Sequence, residues 1–175
     1  MKNLKQNNKM KNTITAIIVL TVLVLTNVSF SQVTGTINAK ATVLSPISVT
    51  STSDLNFGTS ILPGVAVTID KTSANAGQFN LTGQATKQIS VTMTLPSNLT
   101  SNGNTLPISF TSTDGGWKTP AGSWNAFNPA VTTTATFASE GTMIVSLGGK
   151  VTPSHTQASG NYTSTASISL YYTGN

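Results

Sequence analysis

The residues that decide the fold are "GNYTSTASISLYYTGN", Gly160 to Asn175. In this stretch Tyr162, Ala166, Ile168, Leu170 and Tyr172 share one parity, and the positions of the other parity between them all carry hydroxyl side chains. A period of two predicts a half-buried β-strand. Almost nothing follows this strand to cover its free edge, so we expect the neighbouring strand to come from another molecule.

The same alternation recurs along the chain. Clear examples are Val65–Ile69, Ile89–Leu95, Leu106–Phe110 and Met143–Leu147. Clusters of Gly, Pro, Asn, Asp and Ser separate the runs, and no apolar period of 3.6 residues appears after residue 31. The pattern predicts an all-β protein, an antiparallel β-sandwich.

Three segments are expected to be connections. The stretch from Pro96 to Asn104, "PSNLTSNGN", is rich in turn residues. The Gly148–Gly149 pair predicts a tight hairpin. The weakly patterned stretch from Ser112 to Pro129 is expected to be one excursion from the sandwich.

The first 31 residues have the layout of a secretory signal peptide. Four lysines precede the apolar run Ala16–Leu25, and small residues follow it, with cleavage expected after Ser31. The apolar run is too short for a membrane span, which needs about 20 residues. We therefore predict a signal peptide at 1–31, an N-terminal strand at 32–41, and one sandwich domain at 42–175, with no membrane span after cleavage.

Composition narrows the function classes. From Gln32 onward the chain has five lysines, four acids and no arginine, which is too little positive charge for a nucleic-acid binder. Only 7% of all residues are charged, against about 25% in ordinary soluble domains. These features favour an exported protein of the cell surface.

The sequence offers little for catalysis or metal binding. His155 is the only histidine, the chain has no cysteine, and the four acids are isolated from one another. The Gly-Lys pair at Gly149–Lys150 lacks the flanking residues of a phosphate-binding loop. We predict that the protein is not an enzyme and has no catalytic residues, metal site or cofactor.

Three aromatic residues, Trp117, Trp124 and Phe127, lie close together in the excursion. They have two interpretations. They could cover one end of the sandwich core, or they could form a candidate ligand loop that stacks on sugars. The second interpretation describes a self-contained secreted sandwich that binds carbohydrate or a surface.

Two longer stretches carry a family resemblance. The first is "ATVLSPISVTSTSDLNFG" (Ala41–Gly58), and the second is "MIVSLGGKVTPSHTQASGNYTSTASISLYY" (Met143–Tyr172). Together they resemble the bacterial domain-of-unknown-function family 4402, which is similar to spore coat protein U and to archaic chaperone–usher pilins. The resemblance implies an incomplete immunoglobulin-like sandwich that lacks its last strand.

The resemblance also implies how such a sandwich is completed. The N-terminal strand of a neighbouring subunit would be donated into the open groove, as in strand addition. The donor residues would be Val33, Gly35, Ile37, Ala39 and Ala41, and the acceptor groove would be bordered by Tyr162, Ala166, Ile168, Leu170 and Tyr172. The alternative that the N-terminal strand completes its own domain stays open.

This reading predicts a pilin-like structural or adhesive subunit. Its partners would be further copies or related subunits, together with a periplasmic chaperone and an usher. The protein would pass through the periplasm to a fibre at the cell surface.

Overall fold

The structure is a computed structural model that describes residues 31–174. The expected signal peptide therefore lies outside the described residues, apart from Ser31. The chain divides into two units, one ending at Thr42 and the other beginning at Val43. In the first unit, the described residues are exposed and form no strand. A single extended segment cannot satisfy its own backbone hydrogen bonds, so alternation alone does not make it a strand.

The second unit is all-β, and no helix occurs among the described residues. Its strands are β1 (Ser48–Ser53), β2 (Val67–Ile69), β3 (Gly77–Thr82), β4 (Gln88–Thr94), β5 (Asn98–Ser101), β6 (Asn104–Ser109), β7 (Gly115–Lys118), β8 (Asn125–Phe127), β9 (Thr133–Thr136), β10 (Thr142–Leu147), β11 (Gly149–Val151) and β12 (Ser167–Tyr172). All of their pairings are antiparallel, as the sequence predicted.

The strands form three sheets. Their orders are β1-β3-β10-β7-β8, β12-β4-β9 and β2-β11-β6-β5. The main core lies between the first two sheets, where Leu81 and Val145 from one sheet and Ile89 and Val91 from the other are buried together. This arrangement is the predicted β-sandwich.

A second, smaller core lies under the four-stranded sheet. Leu106, Ile108 and Val151 are buried there, and Leu55 and Phe57, which follow β1, pack against them. The "LNFG" segment of the sequence thus joins the two parts of the domain, because Leu55 also packs against the main core.

The prediction of a hairpin at Gly148–Gly149 is wrong. Strand β10 pairs with β3 and β7, whereas β11 pairs with β2 and β6, so the chain crosses from one sheet to another at Gly148. A β-carbon at Gly148 would collide with the carbonyl oxygen of Ile69. The glycine therefore allows two backbones to approach closely at a sheet corner.

Two connecting segments contain strands that the sequence did not indicate. Strand β5 begins inside the turn-rich stretch and is joined to β6 by Asn102 and Gly103, which have φ angles of 45° and 82°. Positive φ at both central residues is the geometry of a type I′ hairpin turn, which Asn-Gly favours. The expected excursion also contains two strands, because β7 and β8 form a hairpin at the edge of the five-stranded sheet.

Candidate strand-addition edge

Strand β12 has one free edge. It pairs with β4, and no other strand of the described residues pairs with it. Its inward side chains align in rows with those of β4: Ile168 with Met93, Leu170 with Val91, and Tyr172 with Ile89. The β4 members of these rows are buried, whereas the β12 members are only half-buried although they pack against the same core. The core is therefore open along β12.

Strand β1 provides the matching edge of the opposite sheet. It pairs with β3 and has no second strand beside it among the described residues. Val49 and Ser51 lie opposite Leu81 and Phe79, and both β1 side chains are exposed while Phe79 is half-buried. The small and exposed residues of β1 thus leave the core incompletely covered on this side also.

We name the uncovered strip of core between the free edges of β12 and β1 the seam. One end of the seam is closed by the Tyr172 side chain. Its hydroxyl accepts a hydrogen bond from the backbone N–H of Gln84, with an N···O distance of 2.6 Å, and donates to the carbonyl of Ser45, with an O···O distance of 2.7 Å. Ser45 lies three residues before β1, and Tyr172 is the last residue of β12. The start of β1 is thereby fixed beside the end of β12.

The structure brings together four of the five residues predicted to border the acceptor groove. Ala166, Ile168, Leu170 and Tyr172 all pack against the main core. The fifth, Tyr162, packs against the second core. Its hydroxyl accepts from the Gln157 side chain and donates to the carbonyl of Ala158, with both O···N and O···O distances at 2.7 Å.

Tyr162 is separated from the others because β12 is shorter than the sequence pattern. The strand begins at Ser167, and the preceding segment makes a single bridge, in which Thr163 and Thr100 exchange backbone hydrogen bonds of 2.9 and 3.0 Å. The alternation that begins at Tyr162 therefore spans two different local structures.

The predicted donor residues are all exposed. Val33 is 91% exposed and Ile37 is 96% exposed. Gly35, Ala39 and Ala41 are also exposed. Both are branched apolar side chains, and full burial of a side chain of this kind stabilises by about 1.5–3 kcal/mol relative to its exposure to water.

The three aromatic residues of the candidate ligand loop do not share one surface. Trp117 lies opposite Val145 and packs inward against the core, and Phe127 is buried within it. Trp124 lies in the turn between β7 and β8, where the Lys118 ammonium group is 4.9 Å from the centre of its ring. Phe127 is thus a core residue, and an aromatic ligand site in this hairpin would rest on Trp124.

The described residues contain few ionisable side chains, and these are not clustered. No group of three or more histidine, cysteine, aspartate or glutamate side chains lies together between residues 31 and 174. The pKa of Asp70 is lowered because the Thr72 hydroxyl and backbone N–H both donate to its carboxylate. His155 packs against Gly64 in a surface turn.

Within residues 31–174, no helix is long and apolar enough to cross a membrane.

These features define the class as an antiparallel β-sandwich whose core is incompletely covered along the edge strands β1 and β12. The chain matches the family described as "Domain of unknown function (DUF4402)" over residues 47–172. This span includes every strand from β1 to β12, so the chain belongs to that family. The predicted donor segment lies before the matched span. A search of curated proteins found no match.

Proposed function

We propose that this protein is an exported structural subunit that assembles by strand addition. The segment Gln32–Ala41 of one copy adds to the free edge of β12 in another copy and fills the seam toward β1. The observation that carries this proposal is the row of half-buried apolar residues along an unpaired strand edge. An unpaired strand edge beside apolar residues favours pairing with a strand of another chain, which is an aggregation hazard. Specific strand addition uses the same pairing for ordered assembly.

The sheet order supports the proposal. An immunoglobulin-like sandwich has one sheet in the order A-B-E-D and the other in the order C-F-G. The strands β1, β3, β10 and β7 follow the first order, and β4 and β12 correspond to C and F. The G position lies beyond β12, where no described strand pairs. A donated strand would occupy that position.

The donor sequence fits the chemistry of the seam. Val33, Gly35, Ile37, Ala39 and Ala41 would point toward the core, and the alternate residues would point to solvent. Main-chain hydrogen bonds to β12 would provide affinity for the extended segment, and Val33 and Ile37 would provide most of the apolar burial. Small residues in the other rows would suit a seam that is already partly covered.

The N-terminal signal peptide predicted at residues 1–31 is the basis for export. Assembly after such export would take place outside the cytoplasm, at the cell surface or in an extracellular fibre. The resemblance to archaic chaperone–usher pilins supports a periplasmic chaperone and an usher as partners in transit, and related subunits as further assembly partners.

The proposal is tested by replacing the largest donor side chain. The exported mature chain carrying Ile37→Asp is run beside wild type and the matched control Ile37→Val on an unheated denaturing gel. Wild type and Ile37→Val should give a ladder of heat-sensitive multimers, because both keep an apolar donor residue. Ile37→Asp should run as a monomer, since a buried unpaired carboxylate is strongly unfavourable. A normal ladder with Ile37→Asp would remove the donor assignment.

The second candidate is a self-contained secreted sandwich that binds carbohydrate. The position of Trp124 favours this function, because its indole lies outside the main core beside the Lys118 side chain. Binding of a sugar at this hairpin would change the tryptophan fluorescence of wild type, and Trp124→Phe should abolish that change. A protein that stays monomeric and shows such a change would favour this function over strand addition.

A further inference from the structure

The turn Leu62–Val65 carries two exposed branched apolar side chains. Leu62 is 66% exposed and Val65 is 51% exposed. The Val65 N–H donates to the Leu62 carbonyl at 3.1 Å, Pro63 occupies the second position, and Gly64 has a φ of 78°. This is a type II β-turn, which Pro-Gly favours. The two side chains are therefore held outward by an ordered backbone.

The turn is braced by a second loop. The Gly64 N–H donates to the Ser154 carbonyl at 3.0 Å, and a β-carbon at Gly64 would collide with the His155 ring. An ordered apolar projection of this kind differs from a scattered surface residue, because it presents contact area whose conformation needs little further ordering.

The position of the turn follows from strand direction. We name the end of the sandwich that holds Ser45 and Tyr172 the leading end, because the chain enters β1 there. Strand β10 starts at that end, where Thr142 pairs with Thr82, and runs away from it into β11. Val67 of β2 pairs with Val151 at the end of β11, and it belongs to the same second core as Leu55 and Phe57, which follow β1 after its far end. The turn just before β2 therefore lies at the opposite end, which we name the far end.

We infer that the turn Leu62–Val65 is a contact surface for the leading end of a second copy of this chain, an inference that rests on the proposed strand addition. Each copy's donor segment enters its own sandwich at the leading end. If the donated segment left the acceptor seam at the acceptor's leading end, the leading ends of the two copies would face each other. The acceptor's own donor segment would then also lie at this contact, and assembly would stop at a closed pair. A repeating contact requires the donor to leave at the far end, the end that also holds the turn.

The chain length makes this contact close. Six residues, 42–47, join Ala41 to the start of β1, and they span at most about 20 Å when fully extended. The neighbouring sandwich must therefore sit directly against the far end of the acceptor. Leu62 and Val65 project there, so the assembled contact consists of the added strand and an apolar surface beside it.

Single cysteines test the inference, because the natural chain contains none. Leu62→Cys is introduced into the mature chain, and its reaction with a maleimide is timed in the multimers and in the Ile37→Asp background. The control is Asn80→Cys, since Asn80 is exposed in the middle of β3, between Thr50 and Ile144 of the neighbouring strands and away from both ends of the sandwich. We expect labelling at position 62 to be at least about tenfold slower in multimers, as for a site that opens only when the contact dissociates. Labelling at position 80 should not change.

A second variant gives an independent measure. The double variant Leu62→Ser, Val65→Ser keeps the donor segment and the seam, so multimers should still form. On dilution into mild denaturant these multimers should lose a subunit at least about tenfold faster than wild type, because changes at an interface act mainly on the dissociation rate. Equal labelling at position 62 in multimers and monomers, with unchanged dissociation, would overturn the inference while leaving strand addition intact. Absence of a ladder for the wild type would instead remove the proposed function itself.

Discussion

The two adjacent tyrosines at the end of β12 give a matched test of how the seam is closed. In Tyr172→Phe the ring stays and only the hydroxyl is lost, together with its bonds to Gln84 and Ser45. The Gln84 N–H is half-buried and would lose its partner, whereas the Ser45 carbonyl is exposed and can bind water. Tyr171→Phe is the control, because Tyr171 is exposed and its hydroxyl has no hydrogen bond within residues 31–174.

The magnitude follows from these two bonds. A typical hydrogen bond contributes about 0.5–1.5 kcal/mol, and a buried donor left unpaired costs about 1–3 kcal/mol. We therefore expect Tyr172→Phe to lower the free energy of unfolding by about 1–2 kcal/mol, near the lower part of that range because one bond is exposed. Tyr171→Phe should change it by less than about 0.5 kcal/mol.

Urea unfolding provides the measurement. Both variants are made in the Ile37→Asp background, so that assembly does not contribute to stability. The midpoint should shift for Tyr172→Phe with an unchanged slope, which marks a change in stability rather than in compactness. Equal midpoints for the two variants would refute the conclusion that Tyr172 fixes β1 to β12.

Three further predictions concern the fold, all measured as urea midpoints in the same background. Phe127→Ala should cost about 3–5 kcal/mol because it empties part of the core, whereas Trp124→Ala should cost less than about 1 kcal/mol. Similar losses would contradict the placement of Phe127 in the core and of Trp124 outside it. Gly148→Ala should cost more than about 2 kcal/mol, because its methyl group meets a backbone carbonyl, and a neutral effect would show that the sheet corner is loose. Folding lowers the pKa of Asp70, so the charged carboxylate stabilises the folded protein above the ordinary aspartate pKa. This contribution is lost as the pH falls through the folded-state pKa. Relative to Asp70→Asn, wild type should gain less than about 1 kcal/mol in the free energy of unfolding at neutral pH and nothing in acid.

Alternation predicted the long strands well, and the reason is physical. Strands β3, β4, β10 and β12 each direct one row of apolar side chains toward the core, so selection for a core leaves a period of two in the sequence. The alternation of Ile168, Leu170 and Tyr172 is enough to predict the last strand from the sequence alone. The sequence landmarks at both ends of the domain indicated its family, and the match over residues 47–172 confirms that family.

The short strands were missed because few of their residues contact the core. Strand β7 reads "GGWK", and its first two residues allow close contacts with Phe127 and the Lys71 side chain rather than forming an apolar row. The role of Gly148 was also hidden, since a glycine pair favours a hairpin locally and only the pairing of distant strands makes it a crossing point. Local sequence does not specify which of two sheets a strand joins.

The candidate strand-addition edge was likewise only partly predictable from the sequence. Its acceptor residues could be named from their shared parity, except Tyr162, whose separation depends on the Thr100–Thr163 bridge across 63 positions. The closure by Tyr172 could not be foreseen, because its partner Ser45 lies 127 positions away in the chain. The turn Leu62–Val65 contained a clear Pro-Gly signal, but its exposure and its place at the far end required the strand register.

The central claim is that one copy donates a strand to another, and mixing two defective variants tests it most directly. Ile37→Asp damages the donor and keeps the acceptor seam. Ile168→Lys damages the seam and keeps the donor, and the long lysine stem preserves much of the packing at this half-buried position. Each variant is first shown to unfold cooperatively in urea.

The two variants are then sized by native mass measurement, alone and after refolding together. The account predicts monomers of each variant alone and a discrete heterodimer in the mixture, because one intact donor can enter one intact seam and the chain cannot extend further. Folded variants that stay monomeric when mixed, or multimers formed by either variant alone, would contradict donation of this strand between copies.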